Sequence, residues 1–302
     1  MKRLRRPASD AETVKENRGA AMQPMLQTFV DPRAFKAAVY PLLLQNEAQN
    51  CICLGMIDAL INEPERFPEY TLASVALDGR VVGAAWLTPP HPLGMTTLPA
   101  DTIPAVMEFA SGQKVRPFHF LGPVATVEKF IEQWQAATQS RVKRKMAQGI
   151  YELIRVNLWR ESAGVMRLVD ERDLALLAQW NLCFDHECGM GDDAKLARER
   201  AGSAIKRQTH YFWEVDGRVV AMAGVGGKTP SGVRVIAVYT PPAERGKGYA
   251  TTLVARLSQK MLNEGKRFCF LYTDLANPVS NGIYQKIGYR LVGDSAYYSL
   301  EY

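Results

Sequence analysis

The sequence predicts a mixed α/β protein made of two related halves, each with a mixed, mostly antiparallel sheet flanked by helices. The first observation is a repeat: Asp-Gly-Arg-Val-Val occurs at residues 78–82 and again at 216–220, an offset of 138 residues. Both copies join two apolar runs through an Asp-Gly pair, which is typical of a tight β-hairpin. The second observation is that the elements predicted around the two hairpins follow the same order. The third is a strand, loop, long helix and strand in the second half, a crossover that requires parallel pairing.

The composition fits a globular chain with room for two domains. Of its 302 residues, 47% are hydrophobic and 23% are charged. We divide the chain into a disordered basic tail at 1–25, a first domain at 26–160 and a second domain at 161–302. No apolar run reaches the length of a membrane helix, and no apolar segment follows the basic start as it would in a secretory signal. Five scattered cysteines fit a reducing, cytoplasmic setting better than a disulfide framework.

The net charge of +6 comes partly from two basic clusters, the tail and residues 141–145. Binding of nucleic acid needs a recognition module as well as charge, and the sequence contains no helix-turn-helix, zinc or aromatic-platform signature. We therefore interpret residues 141–145 as a solvated helix face near an interdomain linker. A free linker at 157–164 is the alternative to direct packing of the two halves, but Leu158 and Trp159 are unusually apolar for one. The same positive field favours a polyanionic ligand.

Helices and strands are predicted from the periodicity of apolar residues and from the turn and cap residues. In the first half we expect helices at 32–50 and on through 60, the hairpin, a short helix at 103–110, a strand at 118–125, a helix at 126–137 and a strand at 150–156. In the second half we expect a strand at 165–169, helices at 171–184 and 193–206, hairpin strands at 210–215 and 219–227, a buried strand at 233–239, a long helix that ends before Gly265, and a strand at 267–273.

The segment with the clearest chemistry is residues 245–250, Arg-Gly-Lys-Gly-Tyr-Ala, which follows the buried strand and opens the long helix. The start of a helix leaves backbone N–H groups free and carries the positive end of the helix dipole, so it is suited to phosphate. Gly246 and Gly248 let the backbone approach an anion with no side chain in between. The spacing fits neither the P-loop nor the dinucleotide-binding fingerprint.

A second motif lies at residues 271–289. Asn277 is a good N-cap, and Pro278 takes the favoured first position of a helix that Gly288 closes. Asn277, Asn281 and Tyr284 are separated by four and three residues, so they share one face of this helix.

Together these two motifs resemble the GNAT superfamily of N-acetyltransferases. Its pyrophosphate signature, Gln/Arg-x-x-Gly-x-Gly/Ala, is matched by Arg245, Gly248 and Ala250, and its closing motif is matched over 277–289. The resemblance implies tandem GNAT-like folds of the α/β (α+β) class, each with a parallel β-α-β crossover, in which the second domain is active and the first is degenerate. It also implies acetyl-CoA as co-substrate and direct transfer of the acetyl group to a primary amine.

The resemblance further implies which residues act. Tyr284 protonates the departing thiolate, for which a tyrosine with an ordinary pKa of about 10 is suited at neutral pH. Asn277 helps to position the pantetheine arm, and the backbone around 237–239 stabilises the oxyanion. The full cofactor-binding set is Ala237, Val238, Tyr239, Thr240, Arg245, Gly246, Lys247, Gly248, Tyr249, Ala250, Asn277 and Asn281.

The general base is not fixed by the sequence, because residues 233–240 contain no Asp or Glu. Glu214 and Glu187 are the candidates, and ordinary surface carboxylates are the alternative for both. Cys183, His186 and Cys188 look superficially like metal ligands. Since a structural zinc site needs about four ligands, we predict no metal, and place these three at a helix end that either lines the acceptor cleft or packs.

The first half lacks the phosphate signature. Its segment 120–128 runs from a strand into a helix with one glycine and no basic residue, so we predict that this half binds no coenzyme A. A coenzyme A-binding sensor or scaffold without turnover is the alternative function, and a nucleic-acid-associated protein that uses the basic tail is a third. The acceptor amine stays open, because this fold hosts many acceptors.

Overall fold

The computed structural model of the chain describes residues 23–114, 119–157, 160–189 and 191–301. The first half runs through β1 (Pro24–Phe29), α1 (Pro32–Leu43), α2 (Cys51–Asn62), β2 (Thr71–Leu77), β3 (Arg80–Leu87), β4 (Leu93–Met95), α3 (Ile103–Ser111), β5 (His119–Gly122), α4 (Val124–Thr138) and β6 (Arg141–Leu153). The second half repeats this order as β7 (Val165–Leu168), α5 (Leu174–Glu187), α6 (Ala194–Lys206), β8 (His210–Val215), β9 (Arg218–Gly226), β10 (Gly232–Tyr239), α7 (Tyr249–Asn263), β11 (Phe268–Asp274), α8 (Pro278–Ile287) and β12 (Arg290–Glu301).

The strands of the described residues form one sheet in the order β1-β2-β3-β4-β5-β12-β6-β11-β10-β9-β8-β7. Reading this order from the other end exchanges each strand with its counterpart in the other half, so the halves are related by a pseudo-twofold axis between β6 and β12. Only β4–β5 and β10–β11 pair in parallel, and the other neighbours are antiparallel. The predicted mixed, mostly antiparallel architecture with a parallel crossover is therefore confirmed.

Each half gives its last strand to the sheet of the other half. Strand β6 pairs with β11 over Cys269–Asp274 and with β12 along almost its full length, whereas β12 also pairs with β5 over Ala296–Ser299. The two halves of the sequence are consequently joined at the centre of the sheet rather than by a free linker.

The helices cover both faces of the sheet. In the second half, α7 packs on Tyr211, Trp213 and their neighbours, while α5 and α6 pack on the opposite face around Phe212 and Tyr239. The turn between α1 and α2 packs on β6 and β11, where Ala48 and Cys51 form a buried cluster with Ile150 and Phe270. The Glu47 carboxylate of this turn accepts a hydrogen bond of 2.9 Å from the Ser231 N–H before β10. The first half thus supports the sheet of the second half directly.

Both Asp-Gly hairpins form as predicted, and both turns use left-handed backbone at Asp78, Gly79, Asp216 and Gly217. Several other predicted elements differ. The helix expected over 32–50 ends at Leu43, whose carbonyl oxygen accepts a hydrogen bond from the Asn50 side chain at 3.1 Å, and a short 3-10 turn follows. The strand expected over 118–125 is β5, because Pro123 ends it and Val124 begins α4. Residue 118 lies outside the described residues.

Residues 141–145 are not a helix face, which corrects the prediction for this basic cluster. They begin β6, where they pair with the end of β12 and where Lys143 and Arg144 make exposed ion pairs with Glu301 and Glu128 at 3.9 and 3.5 Å. A run of charged residues has no apolar period that would distinguish an exposed helix from an exposed strand. The secondary structure of 141–145 therefore depends on pairing with β12.

Three strands had no sequence prediction, namely β1, β4 and β12. Residues 24 and 25, assigned to the tail, belong to β1, while residues 1–22 lie outside the described residues. Strand β12 closes the chain. Within the described residues, every helix is too short or too polar to cross a membrane.

Candidate active site

The candidate site lies where β10 and β11 separate. These two parallel strands pair only from Gly232–Phe268 to Arg234–Phe270, although both strands continue for several residues. Beyond Arg234 the edge of β10 is no longer bonded to β11, which leaves a cleft between the carboxyl ends of the strands. Such a position, at the ends of parallel strands, is a common place for ligands in α/β sheets.

A β-bulge shapes the β10 side of this cleft. Ile236 pairs with Gly224 and Tyr239 pairs with Met222, so β10 has one residue more than β9 over this interval. Ala237 lies in the bulge with a φ of +51°, which is strained for a residue with a side chain. A bulge re-aims backbone groups that a regular ladder would occupy, and it falls in the segment 237–239 for which we predicted the oxyanion contacts.

The loop after β10 presents a row of free amides. Among the described residues, the N–H groups from Gly246 to Thr251 donate to no protein acceptor, and the first internal bond of α7 runs from the Thr252 N–H to the Gly248 carbonyl at 3.0 Å. Gly248 takes the N-cap position with a φ of +81°. Six unpaired donors at a helix N-terminus are suited to phosphate groups.

The basic side chains of this loop are held by carboxylates. The Arg245 guanidinium donates to both oxygens of Glu187 at 2.6 and 2.8 Å and to the Thr240 carbonyl at 2.9 Å. Lys247 donates to Glu244 at 2.8 Å, and this contact lowers the pKa of the Glu244 carboxyl. The loop therefore carries two cations, one paired with the half-exposed Glu187 and the other with the mostly buried Glu244.

Helix α8 forms the opposite side of the cleft. The Asn277 side chain caps it by accepting a hydrogen bond from the Ser280 N–H at 3.1 Å. Asn281 donates to the carbonyl oxygens of Asp274 and Leu275 at 3.2 and 3.4 Å, which ties α8 to the end of β11. The predicted N-cap at Asn277 is therefore present, whereas the contacts of Asn281 with the end of β11 were not predicted.

Tyr284 is 8% exposed and packs edge-on against Tyr289 at a ring distance of 5.9 Å. Burial raises the pKa of the Tyr284 hydroxyl, so the group stays protonated far above neutral pH. Its hydroxyl makes no hydrogen bond to the residues that the structure describes, whereas the Tyr289 hydroxyl is paired with Ser258 at 2.8 Å. Tyr284 thus has a proton to give and no fixed partner for it.

Two orphaned polar atoms test whether the cleft fits a polar ligand. One is the hydroxyl oxygen of Thr240, which follows β10, and the other is the side-chain amide oxygen of Asn281 on α8. Both atoms are buried without a hydrogen-bond partner in the described part of the chain. Buried polar atoms are rarely left unpaired without a functional reason. Since both residues belong to the predicted cofactor-binding set, the amide- and hydroxyl-rich pantetheine arm of coenzyme A is a chemically suitable partner.

The two candidate bases have different surroundings. The Glu214 carboxylate, on β8 two strands away from β10, accepts from Arg167 at 2.6 Å, and the same guanidinium also binds Asp173. Glu187, the last residue of α5, lies beside the site in its ion pair with Arg245. Only Glu187 is therefore brought next to the predicted cofactor residues.

The end of α5 carries the two cysteines and the histidine that looked like metal ligands. His186 pairs with Asp192 at 2.8 Å, and no group of three or more metal-type side chains occurs within the described ranges.

Burial, helped by the nearby Cys183, raises the pKa of the Tyr239 hydroxyl to about 12. Burial together with the negative charges of Glu187 and Asp274 raises the pKa of the Cys188 thiol. The end of α5 therefore lines the mouth of the cleft, and Asp274 is a neighbour that the sequence motifs did not single out.

In the first half, the counterpart of the loop after β10 is residues 96–102, between β4 and α3, and not the segment 120–128 compared in the sequence. This loop contains no glycine and no basic residue, and Thr126 accepts its Leu98 N–H at 3.1 Å. A cleft of about 520 Å³ beside it is lined only by uncharged residues, among them Asn46, Gln49 and Thr97. The phosphate-binding features are thus absent from the described part of this half.

Comparison with known proteins supports the prediction of an acetyltransferase domain in the second half. Residues 174–289 match the family model described as "Acetyltransferase (GNAT) family". No curated protein sequence matches the chain. Among solved structures, a GNAT-family acetyltransferase from Colwellia psychrerythraea is 11% identical with a TM-score of 0.56, and the alignment covers 92% of this chain and 100% of the other.

Two further structures have the same fold along nearly the whole chain. A GCN5-related N-acetyltransferase from Sphaerobacter thermophilus is 14% identical with a TM-score of 0.57, over 91% of this chain and 94% of its own. A tandem GNAT protein from the clavulanic acid biosynthesis pathway is 13% identical with a TM-score of 0.50, over 91% and 98%. The second half of this chain, over residues 174–289, is therefore an acetyltransferase domain of the GNAT family, which makes the chain an acyltransferase.

Proposed function

We propose that the chain transfers the acetyl group of acetyl-CoA to a primary amine by direct attack. The observation that carries the proposal is a combination within one cleft. It comprises six amides at the start of α7 that have no acceptor among the described residues, a bulged β10, and the buried Tyr284, whose hydroxyl has no hydrogen bond to those residues. Acetyl-CoA supplies an activated thioester, and every other requirement falls to residues of this chain.

Each part of the cleft has a role in this reaction. The amides of 246–251 and the Lys247 side chain hold the pyrophosphate, while Thr240 and Asn281 offer their orphaned oxygens to the pantetheine amides. The backbone N–H groups near Ala237 stabilise the oxyanion on the acetyl carbon. The acceptor attacks as a neutral amine, and the proton that its nitrogen then loses goes to solvent. Tyr284 donates its proton to the sulfur as the carbon–sulfur bond breaks.

The test is titration calorimetry with coenzyme A on the full chain and on Gly248→Trp. A side chain at Gly248 would lie in the cradle, and its Cβ would come within 2.9 Å of the Ser162 hydroxyl. We expect at least a tenfold loss of affinity, since a bulky group replaces the close backbone approach. Gly79→Trp is the matched control, because Gly79 has a similar φ of +75° in the first-half hairpin and open space around it. Unchanged affinity in Gly248→Trp would rule out this cradle.

A non-catalytic acyl-CoA sensor is the second candidate, because both Glu187 and Glu214 are engaged by arginines rather than free to act as a base. A library of primary amines, followed by release of coenzyme A, separates the two functions. Turnover with any amine identifies the enzyme, whereas tight binding without turnover across the library identifies the sensor.

For the first half, we infer a role in shaping the acceptor side rather than in binding a second coenzyme A. The uncharged cleft and the loop without glycine support this role, as does the contact from Glu47 to the loop before β10. The stoichiometry in the same calorimetry tests it: one coenzyme A per chain is expected, and two would refute it.

A further inference from the structure

Arg245 joins the predicted phosphate loop to the end of α5. Its guanidinium takes both oxygens of Glu187 and the carbonyl of Thr240, and it lies over the Tyr239 ring at 5.9 Å. Glu187 ends α5 and Arg245 lies in the loop after β10, so this ion pair bridges the two segments.

Glu187 is the last residue of α5, and its side chain meets the loop after β10 through Arg245. Its charge, with that of Asp274, acts on the half-buried Cys188 thiol, and the Cys188 thiol in turn influences the Tyr284 hydroxyl. Because its partner Arg245 lies over the ring of Tyr239, the Glu187 carboxylate lies near the carboxyl end of β10, where the proposed reaction takes place. A carboxylate in this position suits the ammonium group that a primary amine carries at neutral pH.

The ion pair is suited to exchange. The side chains of Arg245 and Glu187 remain 48% and 43% exposed, and a pair so open to water contributes little to stability. A pyrophosphate offers two negative charges and bidentate acceptors for a guanidinium, and the six free amides beside Arg245 add to its binding. A pyrophosphate in the loop would therefore compete successfully with Glu187.

We propose that Glu187 is an acceptor-binding residue that the cofactor unmasks. In the free protein, Glu187 is ion-paired with Arg245. When the pyrophosphate binds the Arg245 guanidinium instead, this ion pair breaks, and the Glu187 carboxylate becomes free to bind the ammonium group of the acceptor. The inference rests on the proposed function and adds an order to it, because the acceptor site is completed only after coenzyme A has bound.

The first test measures the chemical accessibility of the Glu187 carboxylate in the full wild-type chain. Carboxylates are labelled with a water-soluble carbodiimide and glycine ethyl ester, and the labelling rate of each is followed by peptide mass spectrometry with and without saturating coenzyme A. We expect coenzyme A to raise the rate at Glu187 at least threefold. Glu214 is the control, because its ion pair with Arg167 lies on another edge of the sheet and its rate should not change. An unchanged or lower rate at Glu187 would overturn the proposal.

The second test is calorimetry on Glu187→Gln. This substitution removes the carboxylate that competes with the pyrophosphate for Arg245. The affinity for coenzyme A should therefore rise about two- to fivefold, the range that the loss of one exposed ion pair allows. Glu214→Gln should bind as the wild type does, and pantetheine, which lacks the pyrophosphate, should bind Glu187→Gln and wild type equally. Wild-type or weaker affinity for coenzyme A in Glu187→Gln would overturn the exchange while leaving the proposed function intact, whereas a wild type that binds no coenzyme A would refute both.

Discussion

Cutting the chain between its two halves should give fragments that fold only together. The perturbation is expression of residues 160–302 alone, residues 1–159 alone, and both fragments in the same cell. Because β6 belongs to the first fragment but lies between β11 and β12 of the second, each fragment lacks the central strand that its own sheet requires.

The size of the effect follows from the buried side chains that the cut uncovers. In residues 160–302, Phe270 and Tyr272 lose the cover of α2 and β6, and Tyr298 loses the first-half cluster around it. Full burial of one large apolar side chain contributes about 1.5–3 kcal/mol, so these three represent about 5–9 kcal/mol. A typical domain has a total stability of only about 5–15 kcal/mol. The loss of β6 also leaves the backbone groups of β11 and β12 without partners.

The assay is size-exclusion chromatography with circular dichroism and thermal unfolding. Each fragment alone should be aggregated or lack a cooperative transition, and the coexpressed pair should elute as a one-to-one complex with one transition. The intact chain is the control for the position of that transition. A monomeric fragment 160–302 that unfolds cooperatively near the same temperature would refute the reasoning, because β6 would then be dispensable.

Three further predictions concern single side chains. Tyr284→Phe should keep its affinity for coenzyme A and lower kcat by about 10²–10⁴-fold, the usual contribution of a general acid; steady-state kinetics with wild-type turnover would assign the tyrosine to packing. Burial lowers the pKa of the His210 imidazole to about 4 in the folded chain, whereas its pKa in the unfolded chain is about 6.5. Between these two pH values the unfolded chain binds a proton that the folded chain excludes. The free energy of unfolding therefore falls by up to about 3 kcal/mol as the pH falls from about 6.5 to about 4. In His210→Asn, denaturant titrations at several pH values should show this part of the slope removed, and an unchanged slope would contradict the assignment. Glu214→Gln should lower the unfolding free energy by about 1–2 kcal/mol through its lost bond to Arg167 while kcat stays unchanged; a large loss of kcat would restore Glu214 as the base.

Local chemistry made much of the site predictable. An N-cap at Asn277, a Pro at residue 278 and a Gly at residue 288 act within one helix, and the structure has α8 between them. The same holds for the start of α7, where Gly248 provides the left-handed backbone that precedes the first turn. In such motifs the residues that interact are neighbours in the chain, so their spacing carries the geometry.

Contacts between distant residues were not accessible in this way. Residues 141–145 have the same charges in a helix or in a strand, and only their pairing with 298–301 makes them part of β6. The bulge at Ala237 depends on its register with β9 and has no signature in the apolar run itself. The segment 120–128 was compared with the wrong loop, because the topology, rather than a strand-to-helix pattern, defines the counterpart of the loop after β10.

The sequence by itself indicated the acetyltransferase domain, the glycine loop at the start of α7, the tyrosine-bearing helix and the likeness of the two halves, since each of these depends on short segments. The tertiary structure alone decided that the halves exchange their last strands, that Glu214 belongs to an arginine network on β8, and that Glu187 meets Arg245 across 58 residues of chain. The physical reason is that strand pairing and ion pairs depend on which surfaces meet in space. A charged or β-branched residue has many possible partners in sequence, and folding selects one.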